Sequence, residues 1–219
     1  MLKDLNKIIK LMEKQAKELN APVYQKEKVV DKDAFKITVF AVLSTRTKDE
    51  TTIKVCKRLF EKVKNFEDLL KIDEKELESL LYGIGFYRNK AKILKKLAKE
   101  IIEKYNSIVP NKLEELVKLP GIGLKVAKVI LNEAFNLPYV AVDTHVLRIS
   151  NRLGIINTKD FKEANEILEN ILPENLKIKY NKTLVAFGQT VCKPKNPKCE
   201  ICKVKDFCKY YKNKKISKE

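Results

Sequence analysis

A lysine and an aspartate in the middle of the chain could together carry out nucleophilic chemistry. Lys125 ends the segment Leu-Pro-Gly-Ile-Gly-Leu-Lys and opens an apolar helical pattern. The positive end of a helix dipole and the nearby amides favour the neutral form of such an amine. A neutral amine can attack a sugar C1′ or form a Schiff base with an aldehyde. Asp143, eighteen residues later, precedes the next helical pattern, where it is expected to cap the helix and still present an oxygen to a site.

The glycine turn before this lysine also predicts a phosphate-binding site. Gly121 and Gly123 can adopt positive φ or let another backbone approach closely, and Pro120 favours a tight turn. A glycine turn that leads into a helix directs free N–H groups and the positive dipole end outward, which favours phosphate. The same short motif also occurs in ordinary loops between core helices. Lys128, in the following helix, is predicted to contact phosphate or solvent.

Four cysteines near the end of the sequence predict a metal or cluster centre. They follow the spacing C-x6-C-x2-C-x5-C within 17 residues, at Cys192, Cys199, Cys202 and Cys208. In a reducing compartment, such thiols bind metal more often than they form disulfides. Zinc and an iron–sulfur cluster use the same four ligands, and the spacing leaves both open. Cys56, the fifth cysteine, falls in an apolar helical stripe and is predicted to be a core residue.

The charge of the chain indicates a polyanionic partner. The formal net charge is +17, from 46 Lys and Arg against 29 Asp and Glu, and this favours nucleic acid over a membrane surface. A solvated lysine-rich surface, as in thermophiles or AT-rich genomes, is the simpler alternative. No apolar run is long enough to span a bilayer, and the first residues lead straight into an amphipathic helix. We therefore expect a cytoplasmic protein with no membrane partner.

The elements that must position these residues are helices. Apolar residues recur at helical spacing along most of the chain, and no stretch alternates long enough to predict a sheet. Residues 35–43 are predicted to form a buried helix, and Asp73 with Glu76 is predicted to cap another. Residues 23–33 are expected to be irregular. The sequence thus predicts an all-α protein of one or two compact domains.

Three motifs together resemble the endonuclease III family of DNA glycosylases, in the helix–hairpin–helix superfamily. They are the 119–125 segment, the Val-Asp-Thr-His segment 142–145 and the terminal cysteine pattern. The likeness covers essentially the whole chain, including residues 43–49 and 84–91. Each motif alone is moderately specific, but all three in this order are hard to obtain by chance.

This resemblance implies a set of functional residues. The four cysteines would hold a [4Fe–4S] cluster, Lys125 would be the Schiff-base nucleophile, and Asp143 would be the carboxylate that assists it. Arg46 and Phe86 match positions that enter the DNA stack around the extruded nucleotide, although a glutamine and a leucine are familiar there in the family. The predicted DNA-binding residues are Arg46, Phe86, Gly121, Ile122, Gly123, Leu124 and His145.

The resemblance also implies two helical lobes with a cleft between them. Residues 27–136 would form a six-helix barrel that carries the helix–hairpin–helix and the nucleophile. Residues 1–26 plus 137–219 would form the iron–sulfur cluster lobe, which carries the catalytic aspartate. The cleft would present Lys125 from one side and Asp143 from the other.

The function implied is that of a bifunctional DNA glycosylase/AP lyase of base excision repair. It would remove oxidised pyrimidines from duplex DNA and cut the strand by β-elimination. Its partner would be double-stranded DNA with damaged bases or abasic sites, and it would act as a prokaryotic, nucleoid-associated monomer. The alternatives are a monofunctional mismatch or adenine glycosylase, which generally lacks a lysine at position 125, a non-catalytic DNA-binding iron–sulfur protein, or an electron carrier with a basic surface.

Overall fold

The structure, a computed structural model, describes residues 2–216. It consists of helices joined by turns and loops, with no β-strand among these residues. The predicted all-α fold is therefore confirmed. Residue 1 and residues 217–219, which belong to the second predicted lobe, lie outside the described residues. Two 3-10 helices cover Leu2–Asp4 and Lys205–Phe207. The α-helices are α1 (Leu5–Glu18), α2 (Pro22–Gln25), α3 (Glu27–Val30), α4 (Ala34–Leu43), α5 (Asp49–Lys62), α6 (Phe66–Lys71), α7 (Glu74–Leu81), α8 (Tyr87–Tyr105), α9 (Leu113–Leu116), α10 (Leu124–Phe135), α11 (Thr144–Leu153), α12 (Phe161–Ile171), α13 (Glu174–Thr190) and α14 (Lys209–Ile216).

Local sequence signals predicted several of these helices correctly. The buried helix predicted for residues 35–43 is α4, and Asp73 caps α7 by accepting hydrogen bonds from the backbone N–H groups of Lys75 and Glu76. Cys56 is fully buried, as predicted. The expectation that residues 23–33 are irregular is wrong, since α3 and most of α2 lie there. These two helices are single turns, too short for the apolar periodicity on which the prediction relied.

The chain divides into two compact units. The contiguous unit is Gln25–Leu137, and the discontinuous unit combines Met1–Tyr24 with Pro138–Glu219. No helix within residues 2–216 has the length and apolar character needed to cross a membrane.

Helix α4 organises the contiguous unit. Nearly all of its side chains are buried, and it packs against α3, α5, α8 and α10. Helix α8 in turn packs against α6 and α7. A helix that is apolar on every side is stable only when it is surrounded, so α4 serves as the core around which the others assemble. Helices α9 and α10 contact each other and flank the glycine turn.

Segments from both ends of the sequence build the core of the discontinuous unit. Helix α1 packs against α13, and α13 packs against α11. The α1 residues Ile8, Ile9 and Met12 are fully buried in the same apolar cluster as Leu184. Tyr180 is also buried in this cluster, with its hydroxyl 2.9 Å from the hydroxyl of Ser150. The first helix of the chain is therefore an integral part of the core that supports α11.

Candidate active site and cluster centre

A tight turn joins α9 to α10 and requires one of its two glycines. The backbone N–H of Ile122 donates to the carbonyl of Leu119 at 3.2 Å, and Gly121 has a φ of +77°. Proline followed by a residue of positive φ is typical of a type II turn. A Cβ added to Gly121 would lie 2.5 Å from Cγ2 of Ile93, so this glycine provides both the backbone conformation and the close approach to α8.

The second glycine leaves an open space at the start of α10. Gly123 has an ordinary φ of −87°, and a Cβ added to it would meet nothing within 4 Å. Since Gly123 is the N-cap and has no side chain, the first N–H groups of α10 can bind an acceptor from outside. The side chain of Ile122 is buried, whereas that of Leu124 is 53% exposed. Of these two, only Leu124 has a side chain in reach of a ligand.

The two lysines of α10 lie in different environments. Lys125 is exposed in the first turn of the helix, directly after the open glycine. Lys128 is buried, so the prediction that it contacts phosphate or solvent is wrong. The physical reason is the helical register, because Lys128 and Asn132 are four residues apart and lie along the edge of the buried face of α10. Of these two lysines, Lys125 is the one that a substrate can reach.

Asp143 is the N-cap of α11, as its position in the sequence predicts. Its Oδ1 accepts hydrogen bonds from the backbone N–H groups of His145 and Val146, each at 2.9 Å. Within residues 2–216 no hydrogen bond is formed by Oδ2, and the side chain is partly exposed. One carboxylate oxygen therefore fixes the turn while the other can act on a substrate.

His145 and Arg148 connect the first turn of α11 to the start of the cysteine segment. Nη2 of Arg148 lies 3.1 Å from Nδ1 of His145 and donates to the carbonyl of Cys192 at 3.1 Å. Helix α13 passes so close that a Cβ added to Gly188 would lie 2.3 Å from the same Nδ1. His145 is half-buried in this contact, and its predicted role in binding DNA stays a prediction.

Arg46 and Phe86, the residues predicted to enter the DNA stack, both have left-handed backbones. Their φ values are +53° and +59°, which is rare for residues with large side chains. Both side chains are exposed, Phe86 to 69%. A Cβ on Gly85 would lie 3.7 Å from the carbonyl oxygen of Arg46, so the two loops are neighbours in the contiguous unit. Sequence pattern could not reveal this, since neither residue type suggests positive φ.

The four predicted cysteine ligands line one cavity. The cavity has a volume of about 30 Å³ and is partly open to solvent, and Cys192, Cys199, Cys202 and Cys208 are among its lining residues. No three His, Cys, Asp or Glu side chains in the described part of the chain could hold a single metal ion. A donor set of four thiols around a shared cavity fits an iron–sulfur cluster.

Burial and a nearby guanidinium control the chemistry of these thiols. Burial raises the pKa of Cys202 to about 11 and also raises the pKa values of Cys199 and Cys208. Without a bound group these thiols are neutral at physiological pH, whereas iron binds thiolates, so the charge of the bound iron has to stabilise the ionised form. Nη1 of Arg152 donates to Sγ of Cys192 at 3.3 Å, which supplies a further positive charge at the first ligand.

Comparison with known proteins decides the family. Residues 39–174 match the family model of the HhH-GPD superfamily base excision DNA repair proteins, and residues 192–208 match the iron-sulfur binding domain of endonuclease III. Endonuclease III of Thermotoga maritima is 43% identical over 182 residues, which cover 83% of this chain and 85% of that protein. The chain belongs to the endonuclease III family.

Solved structures agree with this assignment. A trapped endonuclease III–DNA covalent intermediate is 34% identical, has a TM-score of 0.77, and the match covers 91% of this chain and 98% of that one. A thermostable thymine-DNA glycosylase is 26% identical, has a TM-score of 0.78, and the match covers 96% and 99% of the two chains.

Membership of the endonuclease III family confirms several predictions. The chain is a DNA-binding enzyme of base excision repair, a DNA glycosylase with AP lyase activity. The chain carries a [4Fe–4S] cluster, which decides between the two kinds of centre that spacing left open. The matched iron–sulfur binding domain, residues 192–208, spans the four cysteines predicted to be its ligands.

Sequence reasoning missed one buried lysine beside the candidate site. Lys90 is 6% exposed, and its ammonium bonds to the loop that carries Arg46. Its position in the helix could have predicted this burial, because Lys90 lies four residues before Leu94 on the apolar face of α8. A lysine in an apolar row indicates a buried polar contact or a long stem that reaches solvent, and the sequence does not distinguish the two.

Proposed function

We propose that this enzyme removes oxidised pyrimidines from duplex DNA and then cuts the strand, with Lys125 as the nucleophile and Asp143 as the assisting carboxylate. The observation that carries the proposal is the exposure of Lys125 in the first turn of α10, next to the open glycine. Asp143 supports it, since Oδ1 is engaged as a cap and Oδ2 is not. We further propose that both residues act on the same nucleotide.

In the first stage, the hairpin binds the duplex and the damaged nucleotide leaves the stack. The N–H groups at the start of α10 donate to a phosphate oxygen, and the open side of Gly123 lets the backbone approach. Arg46 and Phe86 enter the space that the nucleotide vacates. Unstacking costs a few kcal/mol, and it costs least for a damaged base, which contributes to selectivity.

In the second stage, the amine of Lys125 replaces the base. The nitrogen lone pair of Lys125 forms a bond to C1′ as the glycosidic C–N bond breaks. The base leaves with the electrons of the broken bond and takes up a proton. Asp143 accepts a proton from the amine or stabilises the positive charge that develops at C1′. Ring opening then gives a Schiff base between Lys125 and C1′.

In the third stage, the Schiff base makes the strand break. The iminium acidifies C2′, a proton leaves C2′, and the electron pair forms a C2′–C3′ double bond as the C3′–O bond breaks. The 3′-phosphate departs, and water hydrolyses the Schiff base to regenerate Lys125. None of these steps transfers a single electron, so we propose that the cluster has a structural role.

Borohydride trapping tests the nucleophile. Reduction of the Schiff base on an abasic duplex should link wild-type enzyme covalently to DNA, and Lys125→Gln should abolish the adduct. Lys118→Gln is the matched control, because it removes an exposed lysine charge from the same hairpin region. An adduct that persists in Lys125→Gln would overturn the assignment.

A monofunctional glycosylase is the second candidate, favoured by the similarity to a thymine-DNA glycosylase. It would release the base and leave the abasic strand intact until alkali is added. Duplexes with thymine glycol, a G·T mismatch or 8-oxoguanine·A separate the candidates. We expect incision without alkali on thymine glycol, and strand cleavage that always requires alkali would support the alternative.

We also propose that the enzyme works as a monomer in the cytoplasm of a prokaryote, associated with the nucleoid. The net charge of +17 supports non-specific association with DNA. Sedimentation at high salt, where non-specific contacts are screened, should give the mass of one chain, and a dimer would contradict this.

A further inference from the structure

Lys90 holds a buried ammonium group at the start of α8. Its Nζ donates to the carbonyl of Leu43 at 2.8 Å, to the carbonyl of Thr45 at 2.7 Å and to the hydroxyl of Thr47 at 2.9 Å. An ammonium has three N–H donors, so these three acceptors use all of them. The group is thus saturated by a single loop of the contiguous unit.

Burial of the Lys90 ammonium opposes folding. None of the three partners is charged, and burial lowers the pKa of Lys90 to about 8. A buried charge without a counter-ion is costly to desolvate, and only its three hydrogen bonds offset that cost. The contribution of this charge therefore lies in holding the three acceptors in place.

The loop that Lys90 binds is the one that presents Arg46. The acceptors on Thr45 and Thr47 lie on either side of this arginine in the sequence. A left-handed backbone is unfavourable for a residue other than glycine, and it persists only where neighbouring contacts enforce it. Lys90 supplies such contacts on both flanks of Arg46.

Lys90 is also attached to the second residue predicted to enter the stack. Its backbone N–H donates to the carbonyl of Phe86 at 2.9 Å, in the first turn of α8. The main chain of Lys90 therefore secures Phe86, and its side chain secures the loop of Arg46.

We propose that Lys90 is a positioning residue that fixes Arg46 relative to Phe86 before DNA binds, so that the two enter the duplex as one preformed wedge. The inference rests on the proposed function, in which both residues enter the stack. Preorganisation of this kind lowers the entropy lost on binding and so strengthens the step in which the nucleotide is extruded. Lys90 itself would touch neither the sugar nor the base.

The test is a double-mutant cycle that reports unstacking. The probe is a duplex with a reduced, uncleavable abasic site opposite 2-aminopurine, whose fluorescence rises when the base is unstacked. Lys90→Met keeps the length of the side chain and removes the three donors. We expect it to lower both affinity and the fluorescence increase, by about three- to tenfold for a coupled pair. In an Arg46→Ala background, the same change should have almost no further effect.

Two variants keep the test informative. Lys92→Met removes an exposed lysine from the same helix and should leave both signals at the wild-type level. Thr47→Val removes one acceptor with little change of shape, and it should lower the fluorescence increase even if Lys90→Met does not fold. A merely structural role for Lys90 would lower thermal stability without the dependence on Arg46.

The outcomes separate this inference from the proposed function. If Arg46→Ala lowers the fluorescence but the effect of Lys90→Met is the same in both backgrounds, the inference about Lys90 fails and the wedge role stands. If Arg46→Ala leaves the fluorescence unchanged, the wedge role fails and the inference fails with it. Borohydride trapping through Lys125 stays intact in both cases, so the lyase proposal is judged separately.

Discussion

The guanidinium of Arg148 binds the carbonyl oxygen of Cys192 twice, through Nε at 3.3 Å and through Nη2 at 3.1 Å. The same side chain donates to the carbonyl of Thr144, in the turn that Asp143 caps. One arginine thus joins the first cluster ligand to the segment that carries the proposed catalytic carboxylate. The order of the cluster loop and the order of this turn are therefore linked.

Arg148→Met should make the cluster more labile. The change removes the donors to Cys192, and a lost hydrogen bond of a charged group costs about 1.5–3 kcal/mol. We expect faster loss of the brown iron–sulfur absorbance in air than in wild type. Lys162→Met, an exposed change in α12, is the control and should bleach at the wild-type rate. Equal rates for both variants would show that the two bonds do not protect the cluster.

The two glycines of the hairpin should respond differently to alanine. Gly121→Ala adds a Cβ 2.5 Å from Ile93 at a positive φ, so it should lower the free energy of unfolding by at least about 1–2 kcal/mol. Gly123→Ala meets open space, so it should lower stability less, by about 1 kcal/mol or less, as expected when alanine replaces a better N-cap. We expect its main effect to be on DNA affinity, because the added Cβ occupies the space through which a phosphate approaches. Urea denaturation and binding to an abasic duplex measure the two quantities. Gly123→Ala with unchanged affinity would argue against phosphate binding at this turn.

Asp143→Asn should separate capping from catalysis. Asparagine caps helices about as well as aspartate, so the bonds to His145 and Val146 can persist and stability should change little. The charge at Oδ2 is lost, and we expect turnover to fall by about 10²-fold or more while DNA affinity is kept. Asp160→Asn makes the same change at the cap of α12 and should keep wild-type turnover. Equal turnover in the two variants would remove the catalytic role of Asp143.

Lys90 should make stability depend on pH in a defined direction. Burial lowers its pKa to about 8 from an ordinary 10.5, so between these values the unfolded chain binds more protons at this residue than the folded chain. The free energy of unfolding therefore rises with pH in this window, as the folded state releases its buried charge. We expect wild type to gain stability relative to Lys90→Met from about pH 8 to about pH 10.5, in urea titrations followed by circular dichroism. A difference that is constant with pH would contradict the lowered pKa.

Local signals made much of the fold predictable. Helical periodicity predicted α4 because its apolar run is long, and aspartates before helices predicted caps at residues 73 and 143. Each of these features depends on residues within about one turn of each other, so the sequence contains all the information needed. The cysteine spacing likewise predicted a shared centre, since its four members are close in sequence.

Features that depend on distant contacts were not predictable. The burial of Lys128 depends on which face of α10 its neighbours cover, and the role of Lys90 depends on a loop more than forty residues earlier in the chain. The backbone of Arg46 is left-handed because surrounding contacts enforce it, and its own residue type gives no sign of this. The pairing of Lys125 with Asp143 likewise stays a prediction.

The discontinuous unit has a consequence for the order of events during synthesis. Helix α1 is translated well before its buried partner α13, which lies more than 150 residues later in the chain. All of Gln25–Leu137 is translated before α11, so folding of the contiguous unit does not depend on later segments of the chain. The nascent chain therefore carries an amphipathic helix whose apolar face has no partner yet, a state in which chaperone binding or early aggregation competes with folding.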